Sequence, residues 1–248
     1  MVAIACKNLV FDNIEAIIFD KDGTLEDSQA FWLKLAISRA NSIDRQIPGI
    51  WELLLQAFGI KNNLLEPEGL MAVGSRQENE TVAAGCIASK GYAWFEAQKI
   101  ASQAFIKADK EIAKTEKLSN LFPNSLETIE YLANSKLKLG ILSADSTFGV
   151  QAFVANNNLE DCIELCMGTD GNLKKPNPKL FLKACRALNV LPHNSLMVGD
   201  SAGDIEMAKT AGARATIGFC PGDRSSHLDI ADIIISNISE IKILQSLN

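Results

Sequence analysis

The chain has 248 residues, of which 47% are apolar, 22% charged and 6% aromatic, with a formal net charge of −6. It is long enough to bury a core, too apolar to be disordered, and lacks the Gly and Pro excess of a fibre. An acidic balance with no basic cluster argues against nucleic acid as a partner, because such binding neutralises phosphates with Lys and Arg.

Residues 1–6 are apolar, carry no basic leader and run into further strand-like sequence, so they do not read as a signal peptide. A β-branched run at 14–19 ends at Asp20. From about 28 to 117 the texture changes. Segments 31–37, 48–58, 77–89 and 92–118 predict helices, no strand is expected among them, and Gly59 and Gly91 fall where helices would stop. The charged run from Lys107 to Lys114 is read as a solvated helical face with i,i+4 pairs. Beyond it, predicted strands at 137–142, 162–167, 195–198, 213–217 and 232–235 are interspersed with predicted helices at 125–135, 146–156, 178–188 and 202–211. Ser146 suits an N-cap, Pro178 a first helical turn and Gly212 a C-terminal stop. Strands alternating with helices of this length indicate an α/β fold whose parallel sheet is covered on both faces. The expected organisation is a core of residues 1–27 and 118–248 interrupted by an all-helical insertion, 28–117.

No apolar stretch approaches the roughly 18 residues needed to span a bilayer, so no membrane association is expected. The six cysteines are scattered and only two histidines accompany them. Buried reduced thiols are therefore expected rather than a disulfide scaffold or zinc site, which favours a cytoplasmic location.

In an open parallel sheet, ligands bind beyond the carboxyl ends of the strands. Four predicted strand ends carry Asp20-Lys-Asp22-Gly-Thr-Leu25, then Ser143, then Lys174-Lys175-Pro-Asn-Pro178, then Gly199-Asp200 with Asp204 following. Clustered carboxylates without His or thiolate select a hard cation such as Mg²⁺. A carboxylate left free to attack phosphorus offers covalent catalysis, and a lysine and a hydroxyl supply counter-charge and a hydrogen bond. Taken singly, Asp200 also suits a helix N-cap, Asp204 a first-turn helix acid, Ser143 a turn, and Lys174 is an alternative to Lys175 as the reaching lysine.

With these motifs in this order, the sequence resembles the haloacid dehalogenase-like (HAD) phosphohydrolases over essentially its whole length. The resemblance implies a Rossmann-like core with a helical, C1-type cap inserted after the first motif. It implies that Asp20 is the nucleophile, that Asp22 is the general acid/base and gives its backbone carbonyl to Mg²⁺, and that Ser143 donates to phosphate. It further implies that Lys175 neutralises phosphate and nucleophile, and that Asp200 and Asp204 complete the metal site. The opening Asp-x-Asp-Gly-Thr-Leu-x-Asp-Ser is similar to that of phosphoglycolate phosphatases. Asp22 separates the chain from P-type ATPases, which have Thr at that place, and from the dehalogenases, which lack a second Asp.

The expectation is a Mg²⁺-dependent phosphatase acting on a small phosphomonoester. The alternative is a sugar phosphomutase of the β-phosphoglucomutase type, whose cap turn Gly74-Ser-Arg76 resembles; Arg76 is then a substrate-binding residue, where otherwise it is a plain surface arginine. A binding module that has kept the fold without turnover is a third reading, opposed by the intact set of carboxylates and lysine. Oligomeric state is left open, a homodimer included.

Overall fold

The computed structural model describes residues 1–115, 120–169, 171, 173–222 and 225–244. Within them the chain divides into two compact units, Met1–Asp27 with Asn120–Asn248, and Ser28–Ser119.

The first unit opens with β1 (Val2–Cys6) and β2 (Leu9–Ile14), then β3 (Ala16–Phe19). The run predicted as one strand at 14–19 is thus divided: Ile14 pairs with Val2 in an antiparallel hairpin, whereas Ala16–Phe19 enters the main sheet. Burial explains the change of partner. β2 alternates, with Phe11 and Ile14 inward and Asp12 and Asn13 exposed, as a strand with one solvated face must. All four residues of β3 are buried, the pattern of a central parallel strand.

The second unit contains α1 (Gln29–Asp44), α2 (Trp51–Phe58), β4 (Ile60–Lys61), β5 (Leu64–Leu65), α3 (Leu70–Val73), α4 (Arg76–Ala88) and α5 (Trp94–Thr115). The expectation of an all-helical insertion is corrected by β4 and β5, a two-residue antiparallel hairpin that turns at Asn62 and Asn63, both at positive φ. The predicted extension of the last helix to 118 lies outside the described residues, as do the side chains of residues 113–115. α5 buries Ala97, Ala101, Ala104 and Ala108 on one face, small residues at helical spacing that let α1 and α4 pack closely around Phe105. Phe105 meets Phe58 edge to face, with ring centroids 6.2 Å apart.

The first unit then resumes with α6 (Ser125–Ala133), β6 (Lys138–Leu142), α7 (Thr147–Asn156), β7 (Leu165–Met167), α8 (Pro178–Ala187), β8 (Ser195–Gly199), α9 (Ala202–Thr210), β9 (Ala215–Phe219), β10 (Ile233–Ile235) and β11 (Ile241–Leu244). Six strands form a parallel sheet in the order β10-β9-β8-β3-β6-β7, and β11-β1-β2 form a separate antiparallel sheet. The period-2 alternation of the parallel strands divides the core into two layers. Ile17, Phe19, Leu139, Ile141, Val198 and Ile217 join α6, α7 and the small antiparallel sheet on one face. Ile18, Leu142 and Met197 join Phe181 of α8 and Met207 of α9 on the other. Each fully buried side chain of this size is worth about 1.5–3 kcal/mol. Helix starts follow the expected chemistry: Ser146, Asn177 and Ser201 each accept a backbone N–H from the first turn, and Pro178 opens α8.

Strand order reverses at β3: the next two strands of the sheet lie to one side of it and the last three to the other. Such a reversal leaves a crevice at the carboxyl ends of the central strands. Phe19 is in register with Ile141 and with Val198, so Asp20, Leu142 and Gly199 stand level at that end, with Ser143 and Asp200 one residue beyond.

Candidate active site

Asp20 continues the β3 ladder by one bond, its N–H donating to the Val198 carbonyl at 2.8 Å, which holds its carboxylate at the strand end. Gly23 then turns the chain. Its φ of +81° is left-handed, and a Cβ there would lie 2.0 Å from Asp200 Oδ2. Glycine is therefore required twice over, by the turn and by the carboxylate packed against it. Thr24, fully buried, donates its hydroxyl to Asp200 Oδ1 at 3.3 Å.

Lys175 bridges two elements. Its Nζ lies 2.5 Å from Asp20 Oδ1 and 2.6 Å from Asp204 Oδ1. Asp204 lies in the first turn of α9, where its N–H and Oδ2 both meet the hydroxyl of the N-cap Ser201, at 3.3 and 2.6 Å. One oxygen each from Asp20, Asp200 and Asp204 fall within 4.8 Å of one another. Asp20 and Asp204 are buried, 5% and 1% exposed.

Three carboxylates around one ammonium leave a buried excess of negative charge, and like charges about 4 Å apart repel by roughly 4 kcal/mol at an effective dielectric of 20. The titration behaviour reflects this. Burial, reinforced by Asp204 and Asp22 against the opposing pull of Lys175, pushes the Asp20 carboxyl up to about 7. Burial, with Asp20 and Asp204 adding to it, holds Asp200 well above the usual carboxylate range. Burial alone would lower Lys175, but Asp20 and Asp204 outweigh it and the ammonium is held more firmly protonated than in water. A divalent cation would relieve the excess charge. The donors are all carboxylate oxygens, with no imidazole or thiolate among them, and such a hard set suits Mg²⁺.

Asp22 stands apart from this triad. Its carboxylate is held by Lys21, whose Nζ lies 3.0 Å from Oδ1 and 2.9 Å from Oδ2. Ser143 is 1% exposed, its N–H donating to the Met167 carbonyl and its Oγ accepting the N–H of Asp145. Of the two adjacent lysines, Lys175 is the one that reaches Asp20. Arg76 belongs to the other unit. It is the first residue of α4 rather than the tip of a turn, and its guanidinium is engaged by Glu80 at 2.7 Å and Asp109 at 3.0 Å, 5.7 Å from the centre of the Phe105 ring.

Three contacts had not been foreseen. Thr24 lay within the recognised Asp-Gly-Thr stretch, and Lys21 within the first motif. His227, whose Nε2 lies 2.9 Å from the Asp200 carbonyl, is 27 positions away and carried no sequence signal. No helix among the described residues is long and apolar enough to cross a membrane, and all six cysteines are free thiols.

Known proteins resemble the chain over most of its length. The chain is 27% identical over 239 residues to a phosphoglycolate phosphatase of Shigella boydii serotype 4 (strain Sb227), a match covering 93% of the chain and 92% of that protein. Among solved structures, a predicted phosphoglycolate phosphatase from Haemophilus somnus 129PT superposes with a TM-score of 0.69 at 22% identity, covering 92% and 96% of the two chains. A β-phosphoglucomutase from Clostridium difficile does so with a TM-score of 0.62 at 18% identity, covering 92% and 93%. These two structures share the fold. The family model for haloacid dehalogenase-like hydrolases matches residues 14–212, from the end of β2 to the close of α9, and the chain belongs to that family.

Proposed function

We propose that the chain is a Mg²⁺-dependent phosphatase that hydrolyses a small phosphomonoester through an aspartyl-phosphate on Asp20. The observation that carries this reading is the convergence of Asp20, Asp200 and Asp204 at the strand-order reversal, with Lys175 on the buried pair Asp20 and Asp204. Asp20, Asp200 and Asp204 would hold the metal, together with the main-chain carbonyl of Asp22. When bound, Mg²⁺ supplies charge that screens the carboxylates and neutralises a phosphate oxygen.

In this reading an Asp20 oxygen attacks phosphorus, forming an O–P bond as the ester P–O bond breaks. The departing alkoxide takes the proton of the Asp22 carboxyl. Asp22, now a carboxylate, then removes a proton from water as the water oxygen attacks the same phosphorus. Asp20 is released, phosphate leaves, and Asp22 regains its proton. Lys175 offsets charge on Asp20 and on the phosphoryl oxygens, and the Ser143 hydroxyl donates to one of those oxygens. The helical unit, inserted directly after the first motif, takes the part of the cap that selects the substrate. Phosphoglycolate phosphatase relatives over 93% of the chain support a short, acidic phosphomonoester as the first candidate. The mutase alternative rests on Arg76, whose guanidinium is already paired with Glu80 and Asp109, which favours hydrolysis.

The test is hydrolysis of p-nitrophenyl phosphate and of a panel of metabolite phosphates, with and without millimolar Mg²⁺. Activity is expected only with the metal; it is expected to be abolished in Asp20→Asn and reduced in Asp22→Asn, most severely on the alkyl phosphates. Undiminished turnover by Asp20→Asn would refute the covalent route.

A further inference from the structure

Lys21 separates the two aspartates of the first motif, and the chemistry proposed above gives it no task. Its surroundings are nevertheless unusual for a lysine. The residue is 6% exposed, and such side chains are almost never buried unless paired. Its Nζ straddles both carboxylate oxygens of Asp22, at 3.0 and 2.9 Å. It also lies 3.1 Å from Glu26 Oε2 and 3.4 Å from Asp145 Oδ2, with the Phe153 ring centre 5.8 Å away.

The three carboxylates come from two segments: Asp22 and Glu26 from the start and end of the turn after β3, and Asp145 from the loop after β6 that also carries Ser143. An ammonium has three N–H groups and no acceptor, so the three carboxylates can use its whole donor complement. The turn itself is closed underneath, the N–H groups of Leu25 and Glu26 both donating to the Lys21 carbonyl at 2.9 and 3.0 Å. Asp145 is anchored as well, its Oδ1 accepting the Ser146 N–H at 2.6 Å. Asp22 is thus gripped at its carboxylate by a cation that is fixed from two other sides.

We propose that Lys21 is a positioning residue for proton transfer, holding the Asp22 carboxyl in place and coupling it to the loop that bears Ser143. The inference rests on the reading of Asp22 as general acid and deepens it. A buried lysine that merely balanced charge would support folding and affect every substrate alike. One that aims the acid affects substrates according to how much their leaving group needs a proton. Alkoxides need it, whereas p-nitrophenolate departs readily without it.

The experiment compares kcat/KM, which reports the steps up to departure of the alcohol, for p-nitrophenyl phosphate and for the best alkyl phosphate of the panel, in Lys21→Met, Lys21→Gln, Lys21→Arg and Asp22→Asn, with melting temperatures recorded for each. General acid catalysis contributes roughly 10²–10⁴-fold, so Lys21→Met is expected to lose about 10²-fold in kcat/KM on the alkyl ester and less than about tenfold on p-nitrophenyl phosphate. Lys21→Arg should recover part of the alkyl-ester rate, and Asp22→Asn should show the same bias more strongly. If Asp22→Asn shows the bias while the folded Lys21 variants lose equally on both substrates, Lys21 only balances charge and the proposal falls with the acid intact. If Asp22→Asn shows no bias, the reading of Asp22 falls and takes this inference with it. Should Lys21→Met fail to fold, Lys21→Gln and Lys21→Arg decide the matter by the same criterion.

Discussion

Gly23→Ala separates the demands of folding from those of catalysis. The new methyl carbon would stand 2.0 Å from Asp200 Oδ2 and 2.6 Å from its Cγ, where nonbonded contacts below 3.0 Å essentially do not occur. The obstacle is the tip of a side chain, so the Asp200 carboxylate can retreat by about 1 Å at small cost to the fold. The backbone pays separately for an alanine at φ +81°, roughly 1–2 kcal/mol. At about 2–4 °C per kcal/mol for a chain near this size, the melting temperature should fall by about 2–8 °C. The functional loss should be larger. A displacement of about 1 Å in a catalytic group can cost on the order of 10²-fold, and the Thr24 bond to Asp200 is disturbed as well. We expect kcat/KM for p-nitrophenyl phosphate to drop about 10²-fold and half-saturation by Mg²⁺ to shift upward about tenfold. Gly212→Ala is the control. Its φ of +82° imposes the same backbone strain, but no atom lies within 4 Å of the added carbon, so it should lose comparable stability and keep its activity. Normal kcat/KM and normal Mg²⁺ half-saturation in Gly23→Ala would refute the placement of Asp200 in the metal site.

Asp20→Asn should alter the pH dependence of stability in chelator-treated protein. The folded carboxyl titrates near 7 and the unfolded one near 3.9, so between these values the folded state keeps a proton that the unfolded state releases, and stability declines as pH rises. The asparagine variant lacks this loss; its melting temperature should gain on the wild type from pH 5 to pH 8, and parallel curves would contradict the assignment. Ser143→Ala should lower kcat/KM by about 10–100-fold, the worth of a hydrogen bond to a charged group, and an unchanged value would remove Ser143 from the phosphate site. Arg76→Ala should leave KM unchanged and cost less than about 1 kcal/mol by chemical denaturation, because its ion pairs with Glu80 and Asp109 are partly exposed. A tenfold or greater rise in KM would instead put Arg76 on the substrate.

Much of this protein is written locally. The alternation of short β-branched runs with helices of 10 or so residues depends on side-chain periodicity, and caps such as Ser146, Asn177 with Pro178, and Gly212 act within one helical turn. Strand-end residues were readable for the same reason, since a parallel sheet delivers whatever follows each strand to one edge. What could not be read locally were the choices among competing partners. Ile14 and Ala16 lie two residues apart, separated by Glu15, yet one joins a hairpin and the other the central sheet, because only the assembled core has room for a strand buried on both faces. The β4–β5 hairpin rests on two asparagines at positive φ between pairs too short to show a period.

The site divides in the same way. Residue types and spacing brought forward Asp20, Asp22, Ser143, Asp200, Asp204 and the pair Lys174 and Lys175, and the family resemblance favoured Lys175, because clustered carboxylates with a lysine carry their chemistry in their side chains. Which lysine reaches Asp20, which three carboxylates converge within 4.8 Å, and how Lys21 grips Asp22 were decided by tertiary structure. So was the pairing of Arg76 with Asp109, 33 positions away, and the contact of His227 with the Asp200 carbonyl. A sequence specifies which groups are present and, through strand and helix periods, which edge they share. Distances of 2.5–3.5 Å between residues far apart in the chain depend on how the layers pack, and only the folded protein sets them.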